Sequence, residues 1–360
     1  MKKTLLTTLL ALSFSSYSHA EDLLQVYQIA LENDPVVLKA KANAEAQQHN
    51  TDRALRTLLP QINFTMGYSK SDSDGFDVDS GQLMSVNSER DVFSREISLN
   101  QTIFNLNSWR SLDIADKQAL QQATAYDLAQ QSLIVRVAQG YFDVLSAIDT
   151  LEFVQAEKRA IERQLEQTKQ RFAVGLTAIT DVHEAQAQFD NSVAREIVAT
   201  NDVETARETL REITGKYHAK LDMLDTDTFS TVSPTKANTD FVELAKQFNL
   251  ELQVSKATVD IAKQQIDLAQ AGHYPTLLLN ASYGDSLTNS EISSGGASRN
   301  FDYMPREDQT SIGLKFDLPI YSGGATVAST DQARALYVAA SEDLEATLRS
   351  VTRRTITSYN

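Results

Sequence analysis

In the stretch LLPQINFTMGY (Leu58–Tyr68) one kind of structure ends and another begins. Pro60 stops a helical pattern, because it has no N–H to give to an interior turn. Period two follows at once. Ile62, Phe64, Met66 and Tyr68 fall on one face, and Asn63, Thr65 and Gly67 on the other. A run of about ten residues with one apolar and one polar side has the dimensions of a tilted strand crossing a membrane. It fits a half-buried strand of a soluble hairpin equally well.

Three more runs repeat the pattern. Ile97, Leu99 and Ile103 alternate with Ser98, Asn100 and Thr102. Leu277, Leu279, Ala281 and Tyr283 alternate with Leu278, Asn280 and Ser282. Ile312, Leu314, Phe316, Leu318 and Ile320 alternate with Ser311, Gly313, Lys315, Asp317 and Pro319. The polar segments 69–91 and 285–309 are expected to be long loops on one side, as in outer-membrane barrels. Four strands cannot close a barrel, and an open edge in lipid leaves backbone groups unpaired at several kcal/mol each. Membrane strands would therefore have to be completed by other copies of the chain. Two copies give eight strands; three give twelve, enough for an aqueous lumen.

Displaced by about 215 positions, the chain nearly matches itself. Ala30 falls on Ala245, Lys41 on Lys256, Ala42 on Ala257, Asp52 on Asp267, Ala54 on Ala269, Pro60 on Pro275 and Tyr68 on Tyr283. At slightly larger displacement Ile103-Phe104 falls on Ile320-Tyr321, Arg136 on Arg354 and Tyr141 on Tyr359. So long a period implies a duplicated half rather than a solenoid. The expected organisation is a signal peptide at 1–20, a first repeat at 21–235 and a second at 236–360. The first holds helices 22–58 and 107–214 and strands 60–70 and 92–104; the second holds helix 238–272, strands 275–285 and 309–321, and helix 324–360. The second copy stops early, so the chain is expected to be a C-terminally incomplete version of a longer protein. The leader reading rests on Met1-Lys2-Lys3, the short apolar run Leu5 to Leu12 and the small-x-small site Ser18-His19-Ala20. It implies an exported chain beginning near Glu21.

From Ser108 to Phe172 there is no proline, and Gly140 is the one glycine. Leu112, Ala115, Ala119, Ala123, Tyr126, Ala129, Leu133, Val137, Tyr141 and Val144 recur in steps of three and four, a coiled-coil seam. Some 65 residues at about 1.5 Å each make a rod of roughly 100 Å. A second seam runs through Val182, Ala185, Phe189, Val193, Ile197, Val203 and Leu210. Between the rods lies RFAVGLTAITDV, Arg171–Val182. Gly175 suits the left-handed residue ending the first rod. Thr180 or Asp181 suits the start of the second, and Asp181 with Glu184 resembles a capping box. Capping explains most of these residues. Val174, Leu176 and Ile179 are nonetheless apolar at what should be an exposed tip, which suggests docking onto another protein.

A net charge of −15 disfavours nucleic acid as a partner. There are no cysteines, hence no disulfides, and no run of about 18 apolar residues to make a transmembrane helix. His49, His183, His218 and His273 lack metal-type spacing. The run Asp72, Asp74, Asp77 and Asp79 lacks the calcium-loop pattern. No nucleophile motif and no phosphate loop occurs. Neither an enzyme nor a cofactor is expected.

Several stretches resemble the TolC family of outer-membrane channel-tunnels. They are the Glu21-Asp22-Leu23 start, LLPQ (58–61), QTIF (101–104), AQGYFDVLSAI (138–148), RFAVGLTAITDV (171–182), LREITG (210–215), HYPT (273–276) and LPIYSGG (318–324). The resemblance covers the whole chain, and RFAVGLTAITDV is its most specific part. It implies a homotrimer with a mixed fold. Each protomer would give four strands to a twelve-stranded membrane β-barrel and coiled-coil-like helices to a periplasmic α-barrel. It further implies an exit duct for tripartite efflux pumps and type I secretion systems, surrounded by outer-membrane lipid. A periplasmic adaptor (membrane fusion) protein and an inner-membrane transporter of RND, ABC or MFS type would open it. Val174, Gly175, Leu176 and Thr177 match the adaptor-docking turn. Thr180 and Asp181 match gate residues whose Tyr and Arg partners, like a cation-selecting aspartate ring, belong to a second tip that this chain does not reach. The alternative is a periplasmic coiled-coil scaffold or adhesin-like protein without a pore.

Overall fold

A computed structural model describes residues 20–79, 82–224, 237–294, 297–301 and 306–359. The expected leader, 1–20, lies outside them except for Ala20, as do the side chains of Asp77 and Asp79 in the acidic run. The chain folds as two compact units, residues 1–43 with 124–237 and residues 44–123 with 238–360. This division cuts across the sequence repeat, because it follows packing rather than chain order.

In the first unit Asp22 opens α1 (Leu23–Asn33) with a reciprocal cap: its carboxylate accepts from Gln25 N at 2.7 Å, and its N–H donates to the Gln25 side chain at 3.3 Å. Asp34 then interrupts the helix, as Pro35 requires, and α2 (Pro35–Arg56) follows. The long helices α3 (Leu106–Ala173) and α4 (Ile179–Thr214) are the two expected rods. Val26, Ala30, Val37, Leu133, Val137, Tyr141, Val144 and Leu210 form the buried core of this unit.

The second unit holds a sheet, three further helices, and residues 44–56 of α2 and 106–123 of α3. The strands β1 (Gln61–Asp79), β2 (Gln82–Asn105), β3 (Thr276–Ser294), β4 (Ala297–Phe301) and β5 (Arg306–Asp317) all pair antiparallel. The order is β1-β2-β3, with β4 and β5 both on β3; β5 takes its inner length, Thr276–Leu287, and β4 takes Ser290–Ser294. The fourth strand position is thus filled by two pieces. The helices α5 (Asn238–Phe248) and α6 (Leu250–Ala271) precede the second hairpin, and α7 (Ala325–Tyr359) packs on α6.

Two expectations are corrected. The segments 69–91 and 285–309, read as loops, are largely strand: β1 and β2 stay in register out to the pair Asp79 and Gln82. Their Ser, Asp and Asn residues are poor strand formers alone, but pairing onto an existing ladder overrides that weak preference. The helix expected over 238–272 is also broken, at Asn249, whose side chain accepts from Leu252 N at 3.0 Å. No proline marks this break; an Asn cap produces it.

Candidate functional site

Strand register sorts side chains into two faces. Ile62, Leu99, Ala281 and Ile312 stand side by side, and Phe64, Ile97, Tyr283 and Thr310 form the next row. Leu279 with Leu314, and Leu277 with Phe316, extend this apolar face. The opposite face carries Asn63, Ser98, Ser282 and Ser311, then Thr65, Glu96, Gly284 and Gln309. No described residue of the five strands is buried. Ile62, Phe64, Ile312, Leu314 and Phe316 are all more than 60% exposed. A contiguous apolar surface of this kind is far beyond what water tolerates without a partner.

A Cβ on Gly284 would lie 2.6 Å from the backbone oxygen of Arg95, so only glycine allows the neighbouring strand so close. The sheet has one apolar and one polar face, with β1 and β5 left as free edges. Ile103 sits at a bulge between Thr102 and Phe104 that bends the inner end of β2. This is a wall segment with one dry side and one wet side.

At the tip, α3 ends in a Schellman turn. Gly175 has φ +78°, its N–H donates to Phe172 O at 2.9 Å, and Leu176 N donates to Arg171 O at 2.9 Å. Val174 is 70% exposed and Leu176 69%; Phe172 and Ile179 are exposed beside them. Ala178, not Thr180 or Asp181, is the N-cap of α4. Asp181 stands three residues inside the helix and reaches back, so Glu184 is not its capping partner. Its carboxylate accepts from Ala178 N at 3.3 Å and from the Thr177 hydroxyl. The Thr177 hydroxyl, then the Ala178 amide, with smaller help from Thr180 and the Arg171 charge, hold the Asp181 carboxyl below its usual range. The structure therefore joins Thr177 of the expected docking turn to Asp181 of the expected gate. Thr180 stands exposed beside them. The four-residue spacing of Thr177 and Asp181 is the sequence signal for this bond, and it is readable only with the N-cap at Ala178 rather than at Thr180 or Asp181.

Among the described residues no cluster of His, Asp or Glu could hold a metal ion. No described helix is long and apolar enough to cross a membrane.

Residues 26–216 and 241–360 match the family described as outer membrane efflux protein. The chain is 43% identical over 351 residues to outer membrane protein TolC of Vibrio cholerae, covering 97% of this chain and 76% of that protein. It is 29% identical over 357 residues to the proteases secretion protein PrtF of Dickeya chrysanthemi, covering 98% of this chain and 74% of that protein. Among solved structures, the Campylobacter jejuni CmeC outer membrane channel superposes with a TM-score of 0.73 at 16% identity, over 91% of this chain and 68% of that one. The strands, the helical rods and the alignment along nearly the full length agree, and the chain belongs to the outer membrane efflux protein family.

Proposed function

We propose that three copies of this chain close their strands into one barrel, and that the barrel with its helices forms a passive duct opened when partners dock at the helical tip. The protein is an outer-membrane exit duct for efflux and type I secretion, with a large periplasmic helical portion. The observation that carries the trimeric reading is the sheet: four strand positions, two free edges, an exposed apolar face and a polar one. In lipid those edges are untenable until neighbouring protomers pair with them. Twelve strands then enclose water. The docked partners in this reading are a periplasmic adaptor and an inner-membrane transporter, which supply the energy; the duct itself catalyses nothing. Val174, Gly175, Leu176 and Thr177 form the docking turn, and Thr180 with Asp181 belong to the gate.

Conductance in planar bilayers, together with the mass of the detergent-solubilised oligomer, tests the reading. A trimer that conducts supports it. A detergent-free, monodisperse monomer with intact strands overturns it in favour of a pore-less scaffold. For the tip, Gly175→Val places a β-branched residue at φ +78° and should abolish docking of the adaptor. Asp181→Ala should raise resting conductance wherever the tip closes; unchanged conductance would leave Asp181 as a helix cap only.

A further inference from the structure

Charge breaks the apolar face of the sheet at one level. Met66, Arg95, Asp285 and Asp308 stand in register, one row beyond Phe64, Ile97, Tyr283 and Thr310. Arg95 grips Asp285 with both ends of its guanidinium, from Nε to Oδ1 at 3.1 Å and from Nη2 to Oδ2. Arg306, one row further out, lies 3.5 Å from Asp285 and 3.3 Å from Asp308. Phe93 lies 5.7 Å beneath the Arg95 guanidinium, and the Tyr68 hydroxyl donates to Asp91 at 3.1 Å. Beyond them Lys70 pairs with Glu89. Arg95 Nη1 and both Nη atoms of Arg306 make no hydrogen bond among the described residues.

A charged group on a lipid-facing strand is heavily disfavoured at mid-depth and almost tolerated at the headgroups. The position of this row on the ladder therefore reports depth. Depth can also be counted from the other end. β5 ends inward at Asp317, and Phe316, Leu314, Ile312 and Thr310 lie on the apolar face between that end and Asp308. Residues 308–317 at about 3.3 Å each, tilted about 40°, rise about 25 Å. That is the height of the apolar band of an outer-membrane barrel. Counted from the inner end of the strand, the band runs out at the row where charge begins.

We propose that the Arg95–Asp285–Asp308 row, with Arg306 reaching back onto it, lies among the polar headgroups of the outer leaflet and fixes the height at which the barrel sits. Rows inside it meet hydrocarbon, and the spare guanidinium donors face headgroup oxygens. Rows outside it stand in water, where the ladder continues to Asp79 as a paired collar. This inference rests on the membrane-barrel reading above.

The chain has no cysteine, so single-cysteine variants report position without background. The full chain in outer-membrane vesicles is treated with a membrane-impermeant maleimide. Tyr68→Cys should label at least about tenfold faster than Phe64→Cys or Ile312→Cys, and detergent should remove the difference. Converting all four charges to apolar residues (Arg95→Leu, Asp285→Leu, Asp308→Leu and Arg306→Leu) lengthens the lipid-compatible face, so Tyr68→Cys labelling should then fall about tenfold. Unchanged labelling in that background would overturn the proposal. If the quadruple variant does not assemble, Met66→Cys decides in its place: labelling near the Tyr68→Cys rate supports the boundary, and protection equal to that of Phe64→Cys defeats it. Phe64→Cys labelling as fast as Tyr68→Cys in intact vesicles would instead sink the barrel reading itself.

Discussion

The turn between α1 and α2 and the turn between α5 and α6 are one design used twice, with the charge arranged differently. Asp34 has φ −65° and ψ 120°; Asn249 has φ −66° and ψ 122°. Each donates its N–H to a matched alanine, Asp34 to Ala30 O at 2.7 Å and Asn249 to Ala245 O at 3.0 Å. Each side chain accepts from a buried residue three positions on, Val37 N at 2.8 Å and Leu252 N at 3.0 Å. The long helix that follows brings an arginine to each turn, Arg136 and Arg354. In the first turn Asp34 is both cap and ion-pair partner: Arg136 donates to its two oxygens at 2.9 and 3.0 Å. In the second the roles are split. Asn249 caps, and Glu251 takes Arg354. Asp34 is 1% exposed, whereas the Glu251 and Arg354 side chains are 41% and 51% exposed. The duplication thus preserves the backbone and the cap acceptor, and lets the charge move outward to where it matters less.

The largest effect should come from Arg136→Ala. It leaves a buried carboxylate without its cation, a loss of about 3 to 5 kcal/mol. Hydrogen exchange at the Val37 and Leu38 amides reads this locally. An acceleration of about a hundredfold or more is expected, with the Leu252 amide unaffected. Comparable acceleration at both turns would mean that they are not independent.

Acid should erase part of this difference. Burial pushes the Asp34 carboxyl up, but the Arg136 hydrogen bond, the Val37 amide and the Arg136 charge outweigh it and hold the group below the ordinary Asp value. A lowered folded pKa means stability that is fully present above the unfolded value of about 3.9 and is lost as pH falls through the lower, folded one. The gap in exchange rate between the unaltered chain and Arg136→Ala should therefore narrow below about pH 4. A gap that stays constant down to pH 2 would show that Arg136 acts by packing.

The matched tyrosines give a smaller contrast. Tyr141 is buried and donates its hydroxyl to Asp222 O at 2.6 Å and Glu21 O at 3.2 Å. Tyr359 lies half-exposed with its ring 5.9 Å from Phe241. Tyr141→Phe should cost about 1 to 2 kcal/mol, since it removes the donor to Asp222 O, whereas Glu21 O keeps the Asp222 N–H at 3.1 Å. Tyr359→Phe should stay within about 0.5 kcal/mol. Denaturant midpoints of the two variants would separate them, and equal losses would refute the contrast.

The same pair of turns shows what sequence could and could not convey. The first break was legible because Pro35 forbids a continuous helix and Asp34 is a good cap. The second was not, because Asn249 lies in a run with no proline and the cap acts only through its side-chain oxygen. Strand parity at Ile62–Tyr68 and Thr310–Phe316 was legible, since one face must be apolar, but the strand expected as far as 321 ends at Asp317. The outer ladder from Ser69 to Asp79 was not, because Ser, Asp and Asn there signal loop and only the partner strand makes them strand. At the tip the left-handed glycine was readable from composition. The bond from Thr177 to Asp181 depended on where α4 begins, the least determinate feature of any helix.

Arg354→Ala is the smallest and the most discriminating change. The pair it breaks spans 103 positions against 102 for the pair at Arg136, and in both the arginine comes from the long helix that follows the strands and the acid sits at the helix break, so a contact-counting view expects much the same loss. Exposure argues otherwise. Both side chains stay hydrated when separated, and an exposed pair contributes only about 0 to 1 kcal/mol. Asn249 keeps its neutral acceptor on Leu252 N whether or not Arg354 is present, so the cap survives. Exchange at Leu252 should accelerate by no more than about fivefold, and salt near 1 M should remove even that, because screening acts on exposed charges within a few ångströms. A loss approaching that of Arg136→Ala would mean the Glu251 pair is shielded from solvent. It would then be the cover over this turn, rather than the move from Asp to Asn, that distinguishes the two copies.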